Sequence, residues 1–107
     1  MLTRMPGLEF ESDRRFQMWK YAVGHAQLLL RSVKDSDHES RIDVLFVGTR
    51  HVNVPTTLEG LRIERDGANF RLSGTGWVGT VEALNMSHAE DQGEYDDASP
   101  FAESSGI

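Results

Sequence analysis

A mainly β fold is predicted for this chain, an antiparallel sandwich or barrel of about seven short strands with little or no helix. Three observations predict it. Apolar residues recur at every second position in several short runs, and glycines, an Asp-Gly pair and polar clusters separate those runs at short intervals. No apolar pattern of helical period is long enough to cross over a parallel sheet. The 107 residues suit one domain, since two cores would leave each half below self-sufficiency. The expected organisation is a polar N-terminal arm over 1–13, a single β domain over 14–86 and an acidic C-terminal tail over 87–107.

The first strand is expected from Phe16 to Val23, where alternation puts Trp19, Tyr21 and Val23 on one face and Phe16, Met18 and Ala22 on the other. Large residues on both faces imply a strand buried on both sides or set against a partner chain. Trp19, Val23, Ala26 and Leu30 also fit an approximate helical spacing, but strand is preferred. Gly24-His25 reads as a turn into Ala26–Val33, whose Leu28-Leu29-Leu30 forms a continuous apolar run. Lys34 to Ser40 is wholly polar and reads as a solvent loop. The clearest alternation follows, with Ile42, Val44 and Phe46 set against Asp43, Leu45 and Val47. Gly48 marks a bulge or bend before a short strand through Val52 and Val54, which Pro55 ends.

Leu58–Arg65 alternates Leu61 and Ile63 with Arg62 and Glu64, so one of its faces meets water. Asp66-Gly67 is the strongest turn signal, because such pairs supply the positive φ that tight hairpins require. Phe70 and Leu72 then face inward. Past Gly74-Thr75-Gly76, the run Trp77–Met86 alternates once more. The tail from Ser87 combines charge with small residues and few large apolar side chains, a composition that does not offset the entropy of ordering, although Tyr95 and Phe101 offer points at which the body or a neighbour could pin it.

Charge narrows the function classes. The chain has 17 acids, 11 bases and a net charge of −6. Six of the acids lie beyond Ser87 with no base among them, which leaves residues 1–86 formally neutral. A neutral body with an acidic tail argues against nucleic-acid binding, whose affinity comes from clustered bases that neutralise phosphates. The absence of cysteine excludes disulfides, thiolate nucleophiles and sulfur-ligated zinc. No apolar leader precedes the charged stretch Glu9–Arg15, and no apolar run approaches the ~20 residues that span a bilayer. A cytoplasmic location without membrane attachment is expected.

No catalytic or metal constellation emerges, and no cofactor is implied. His25 at a hairpin end is a turn histidine unless folding supplies a positioned second group. Asp37-His38-Glu39 offers three ligand types in consecutive positions, which diverge rather than converge on an ion. None of the serines occupies an activating context such as Gly-x-Ser-x-Gly. Gly74-Thr75-Gly76-Trp77-Val78-Gly79 matches Gly-x-Gly-x-x-Gly literally, but a strand pattern follows it where a phosphate site needs a helix.

The residues most suited to binding are Trp19, Tyr21, His25, Arg31, Arg62, Arg71 and Trp77. The tryptophans and Tyr21 provide aromatic faces for an oligomer interface or a small apolar ligand. Arg62 and Arg71 flank the Asp66-Gly67 hairpin, where arginine suits fixed carboxylate contacts such as cross-strand pairs or a docked acidic tail.

The segment Trp19-Lys20-Tyr21-Ala22-Val23-Gly24-His25-Ala26-Gln27-Leu28-Leu29-Leu30-Arg31-Ser32, followed by Ile42-Asp43-Val44-Leu45-Phe46-Val47-Gly48, resembles short uncharacterised bacterial proteins over roughly residues 15–65. The succession of a Trp, a His, a Leu-rich strand and an alternating strand is also similar to that of small immunity proteins. Neither resemblance implies catalytic residues. Together these observations lead to the expectation of a non-enzymatic bacterial protein that binds another protein or itself, as a homodimer. The alternatives are a small-ligand-binding β domain beside Trp19, Tyr21 and Trp77, or an enzyme using His25 with Arg31 and an acid brought in by folding.

Overall fold

The computed structural model describes residues 7–94 and 97–101. They form eight antiparallel strands: β1 (Gly7–Ala22), β2 (Gln27–Ser32), β3 (Arg41–Val47), β4 (His51–Asn53), β5 (Thr57–Asp66), β6 (Asn69–Gly74), β7 (Trp77–Glu82) and β8 (Asn85–Asp91). The only helical turn among the described residues is a 3-10 turn at Val23–His25. The fold is therefore mainly β and antiparallel, and no helix among the described residues is long and apolar enough to cross a membrane.

The strands lie in one sheet in the order β4-β7-β6-β5-β1-β2-β3-β8. The two ends of that order belong to the same pair of chain segments, because β4 continues β3 and β8 continues β7. Arg41↔Asp91 through Val47↔Asn85 is one ladder, and His51↔Glu82 through Asn53↔Thr80 resumes it one residue out of step. Backbone bonds from Leu84 N–H to Val47 O (3.0 Å) and from Arg50 N–H to Glu82 O (2.8 Å) bridge the interruption. Such a one-residue offset is a bulge, which bends a strand and increases its twist. The sheet consequently curls back on itself in a barrel-like form. Gly48 sits at this bend with φ of +64° and the Leu84 side chain directly over it.

Inside the curl pack Phe16, Leu28, Leu30, Val44, Phe46, Leu58, Ile63, Phe70, Leu72 and Val81. Phe46 and Phe70 meet edge to face at 5.3 Å. Arg14, 8% exposed, lies against the end of β2, with Nε donating to Ser32 Oγ (3.0 Å) and Nη2 to Ser40 O (2.5 Å).

The strands run past the expected bounds of 14 and 86. β1 begins at Gly7 because Phe10 packs against the core, edge to face with Phe16 at 5.9 Å. Its charged positions obscure period two because register shifts interrupt it between Leu8 and Phe10 and between Ser12 and Arg15. β8 runs to Asp91, with Met86 packed on the core and His88 on the ring of Phe10 at 4.9 Å. The eighth strand arises where the run Trp77–Met86 breaks at Ala83 and Leu84. A third shift, between Met18 and Lys20, overturns the expected face of β1: Tyr21 falls opposite Leu28 of the core, while Trp19 packs outside on Leu29 and Leu45.

The hairpin between β5 and β6 turns through Gly67 and Ala68, with φ of +66° at Gly67. Gly74 is needed for a different reason: a Cβ there would strike Trp77 Nε1 and the carbonyl oxygens of Glu59 and Gly60. Two of those obstacles are backbone, so Gly74→Ala is expected to cost about 1–3 kcal/mol. The urea midpoint measures this, and an unchanged midpoint would mean that the β5–β6–β7 seam is loosely packed.

Candidate functional site

All six residues of β2 are buried, as are Arg41 to Phe46 of β3. Burial of alternate positions follows from the core, so the outward ones must be covered by something else. Their sequence is unusual for a covered face, because Arg31, Asp43 and Arg41 stand among the apolar residues. Strand register explains how these charges are accommodated. Arg31 lies directly opposite Asp43, and Arg41 directly opposite Asp91 of β8.

Both pairs are two-pronged. Arg31 donates through Nε to Asp43 Oδ1 (2.7 Å) and through Nη2 to Oδ2 (3.0 Å). Arg41 donates through Nε to Asp91 Oδ1 (2.8 Å) and through Nη2 to Oδ2 (2.7 Å). This fork-to-fork geometry fixes each guanidinium plane as well as its position. The Trp19 ring lies 5.1 Å from the Arg31 guanidinium carbon, a cation–π arrangement. Each arginine is only 2% exposed, so its remaining N–H groups also require acceptors.

Those acceptors are main-chain carbonyls of the C-terminal segment. Arg31 Nη1 donates to Asp97 O (3.1 Å), Arg41 Nη1 to Asp97 O (2.7 Å) and Glu94 O (3.1 Å), and Arg41 Nη2 to Ala98 O (2.9 Å). Gly93 lets the chain pass over Arg41, since a Cβ there would lie 2.5 Å from Arg41 Nη2. Beyond the carbonyls, Phe101 enters an apolar trough made by Leu29 and Leu45 with Trp19, Ala22 and Val47. An exposed ion pair between Lys34 and Glu94 (2.8 Å) flanks the segment.

The structure brings together two of the residues singled out above, Trp19 and Arg31. Tyr21 lines a separate concavity of about 270 Å³ with Met18, Leu28, Thr49 and Val52. His25 is exposed in the 3-10 turn, with no hydrogen-bonded side-chain partner among the described residues. Arg62 pairs with Glu11 (3.0 Å) and Glu64 (3.7 Å), and Arg71 is exposed opposite Glu64. Trp77 packs on the core and donates its indole N–H to Glu59 O (3.2 Å). The described part of the acidic segment thus docks on Arg31 and Arg41 rather than on the Arg62–Arg71 hairpin, where Arg62 is paired with Glu11 and Glu64. Tyr95 lies outside the described residues. Arg41, Asp43, Asp91 and Gly93 complete the site without having stood out beforehand; the available signal was a charge inside each of two otherwise apolar runs. Among the described residues no three His, Asp or Glu side chains are grouped to hold a metal ion.

Comparison with protein-family models, curated proteins and solved structures finds no match to this chain.

Asp91 is held below the ordinary carboxylate range, chiefly by the hydrogen bonds from Arg41, with burial opposing and the Gly93 N–H assisting. The same bonds raise Arg41. With a folded pKa below the unfolded value of about 3.9, the Asp91 carboxylate stabilises the fold fully above that value. This contribution is lost as pH falls through the lowered folded pKa. Asp91→Asn is expected to cost about 1–2 kcal/mol at neutral pH and to flatten the acid dependence below the ordinary carboxylate pKa of about 3.9. Denaturant unfolding followed by tryptophan fluorescence measures both effects, and identical acid profiles for the two proteins would contradict this assignment.

Proposed function

We propose that this chain is a non-enzymatic binding module whose working surface is the outer face of β2 and β3, and that it binds a peptide segment of another protein or of a second copy. One observation carries this reading: two buried arginines, each fixed by a carboxylate, direct their remaining N–H groups at main-chain carbonyls beside a trough that accepts an aromatic ring. Donors aimed at main-chain carbonyls accept many sequences, while a side-chain pocket selects among them. In this reading the chain's own residues 94, 97, 98 and 101 occupy the face in cis. The expectation of a protein-binding or self-associating module is developed here at a specific face, to which Trp19 and Arg31 belong.

A second reading, small-ligand binding, attaches to the concavity at Tyr21, whose volume falls just below the ~300 Å³ of typical ligand sites. Trp19 and Trp77 do not line it, so that alternative now rests on Met18, Tyr21, Leu28 and Val52.

Peptide binding is tested with the full-length chain carrying Phe101→Ala and a fluorescein-labelled peptide of the Asp91–Phe101 sequence. A tethered segment competes at an effective concentration on the order of millimolar, so the unaltered chain should bind the peptide weakly. Vacating the trough should tighten binding at least about tenfold, because a competitor with the aromatic anchor removed is readily displaced. A peptide with alanine in place of its phenylalanine should not bind. Equal, negligible anisotropy changes for both proteins would remove the basis for this function. Light scattering on the same two proteins reports whether exposing the trough drives self-association.

A further inference from the structure

The curl of the sheet has an opening beside β4. β2 pairs with β3 as far as Leu28↔Phe46, and β4 pairs with β7, but among the described residues no ladder joins β4 to the hairpin of β1 and β2. The chain is tied to that hairpin just before β4, by Thr49 N–H to Ala26 O (2.9 Å), and just after it, by Met18 N–H to Thr56 O (2.8 Å). Between these ties lies the concavity of about 270 Å³ at Tyr21. Its apolar lining is Met18, Leu28 and Val52, which belong to the core or pack against it, so the interior is reached from outside here. Tyr21 stands beside them 46% exposed. A tyrosine ring and a methionine thioether both favour an aromatic neighbour.

The charge at its rim is distinctive. Arg14, Arg15, Arg31, Arg41, Arg62 and Arg65 each donate a side-chain hydrogen bond to an oxygen of the protein. Arg50, which lines the concavity, is 78% exposed and makes no side-chain hydrogen bond among the described residues; its Nε lies 4.0 Å from Glu82 Oε2. Arg71 also lacks such a bond, but it lines a different concavity among the polar side chains of Asn53, Asp66 and Asn69. An apolar lining with one open cation is the usual makeup of a ligand site, the polar group fixing orientation. Resting on the small-ligand reading of this concavity, we infer that it binds a small aromatic monocarboxylic acid, with its ring among Met18, Tyr21, Leu28 and Val52 and its carboxylate on the Arg50 guanidinium. The volume, below that of sites for drug-sized molecules, suits one ring on a short acid-bearing arm. With Nε turned to Glu82, the Nη groups of Arg50 are left for the carboxylate, and the Glu82 charge disfavours a second acid group on the ligand.

The test titrates the isotope-labelled full-length chain with phenylacetate and with its neutral counterpart, phenylacetamide, and follows the backbone amide resonances by NMR. The acid should move the Leu28, Thr49 and His51 resonances saturably and bind about fivefold more tightly than the amide, the scale of one solvent-facing ion pair. Arg50→Gln should bring the two affinities together. It should leave the remaining spectrum unchanged, since the Arg50 side chain is exposed and its main-chain N–H keeps its bond to Glu82 O. Tyr21→Ala should weaken both probes by a similar factor. An acid that binds no more tightly than the amide, or a preference that survives Arg50→Gln, would overturn the acid assignment while leaving the small-ligand reading standing. No saturable shift of those resonances with either probe would overturn both.

Discussion

A guanidinium taken out of water needs an acceptor for each of its N–H groups, and this chain buries two of them on the outer face of the adjacent strands β2 and β3. Asp43 and Asp91 meet one edge of each fork, cancel its charge and fix its plane. The opposite edges meet the main-chain carbonyls of Glu94, Asp97 and Ala98, all beyond the last strand. A segment of main chain therefore has to lie across β2 and β3, and once there it shields the outward leucines. Buried ion pairs add little net stability, because desolvation offsets their attraction, but breaking one leaves a charge stranded. Their contribution here is geometric: they determine where the segment lies.

The shape of the sheet serves the same end. Three register shifts in β1 and the one-residue offset between the β3–β8 and β4–β7 ladders bend a simple antiparallel sheet around an apolar interior. The same irregularities send Trp19 to the exterior, where it flanks Arg31, and leave Tyr21 on the interior side. Arg14 shows the logic of the buried forks in miniature, with hydroxyl and carbonyl oxygens replacing water around it. Irregular pairing in this molecule thus sorts side chains between two environments, a core and an outer face covered by the C-terminal segment.

Much of this architecture was legible in the sequence. Alternation in Ile42–Val47 and Leu58–Arg65, the polar loop at 34–40 and the glycine turns follow directly from period two and turn chemistry. The N-terminal third of β1 and all of β8 beyond Met86 were not legible, because Arg14, His88 and Glu90 occupy interior-side positions near the unpaired edge of β8, where charge and hydropathy mislead. The site itself was half legible. Trp19 and Arg31 stand out as residue types, but their meeting depends on a bulge after Met18 that no residue announces. Arg41, Asp43 and Asp91 become conspicuous only when cross-strand register pairs positions as far apart in sequence as 41 and 91. Gly93 reads as one more small residue in an acidic stretch until Arg41 is placed beneath it.

The long ribbon that closes the sheet also bears on how the chain assembles. It joins residues 41–53 to residues 80–91, so its two halves are separated in sequence by the β5–β6 hairpin and the start of β7. Local hairpins such as β5–β6 form on the order of microseconds. Closing the ribbon must wait for the intervening residues to order, and topologies dominated by such distant pairings fold in about milliseconds to seconds. The Arg41–Asp91 fork is built only when that last ladder zips. The outer face of β2 and β3 is thus among the final features to form, after the strands on either side of the β5–β6 hairpin have met.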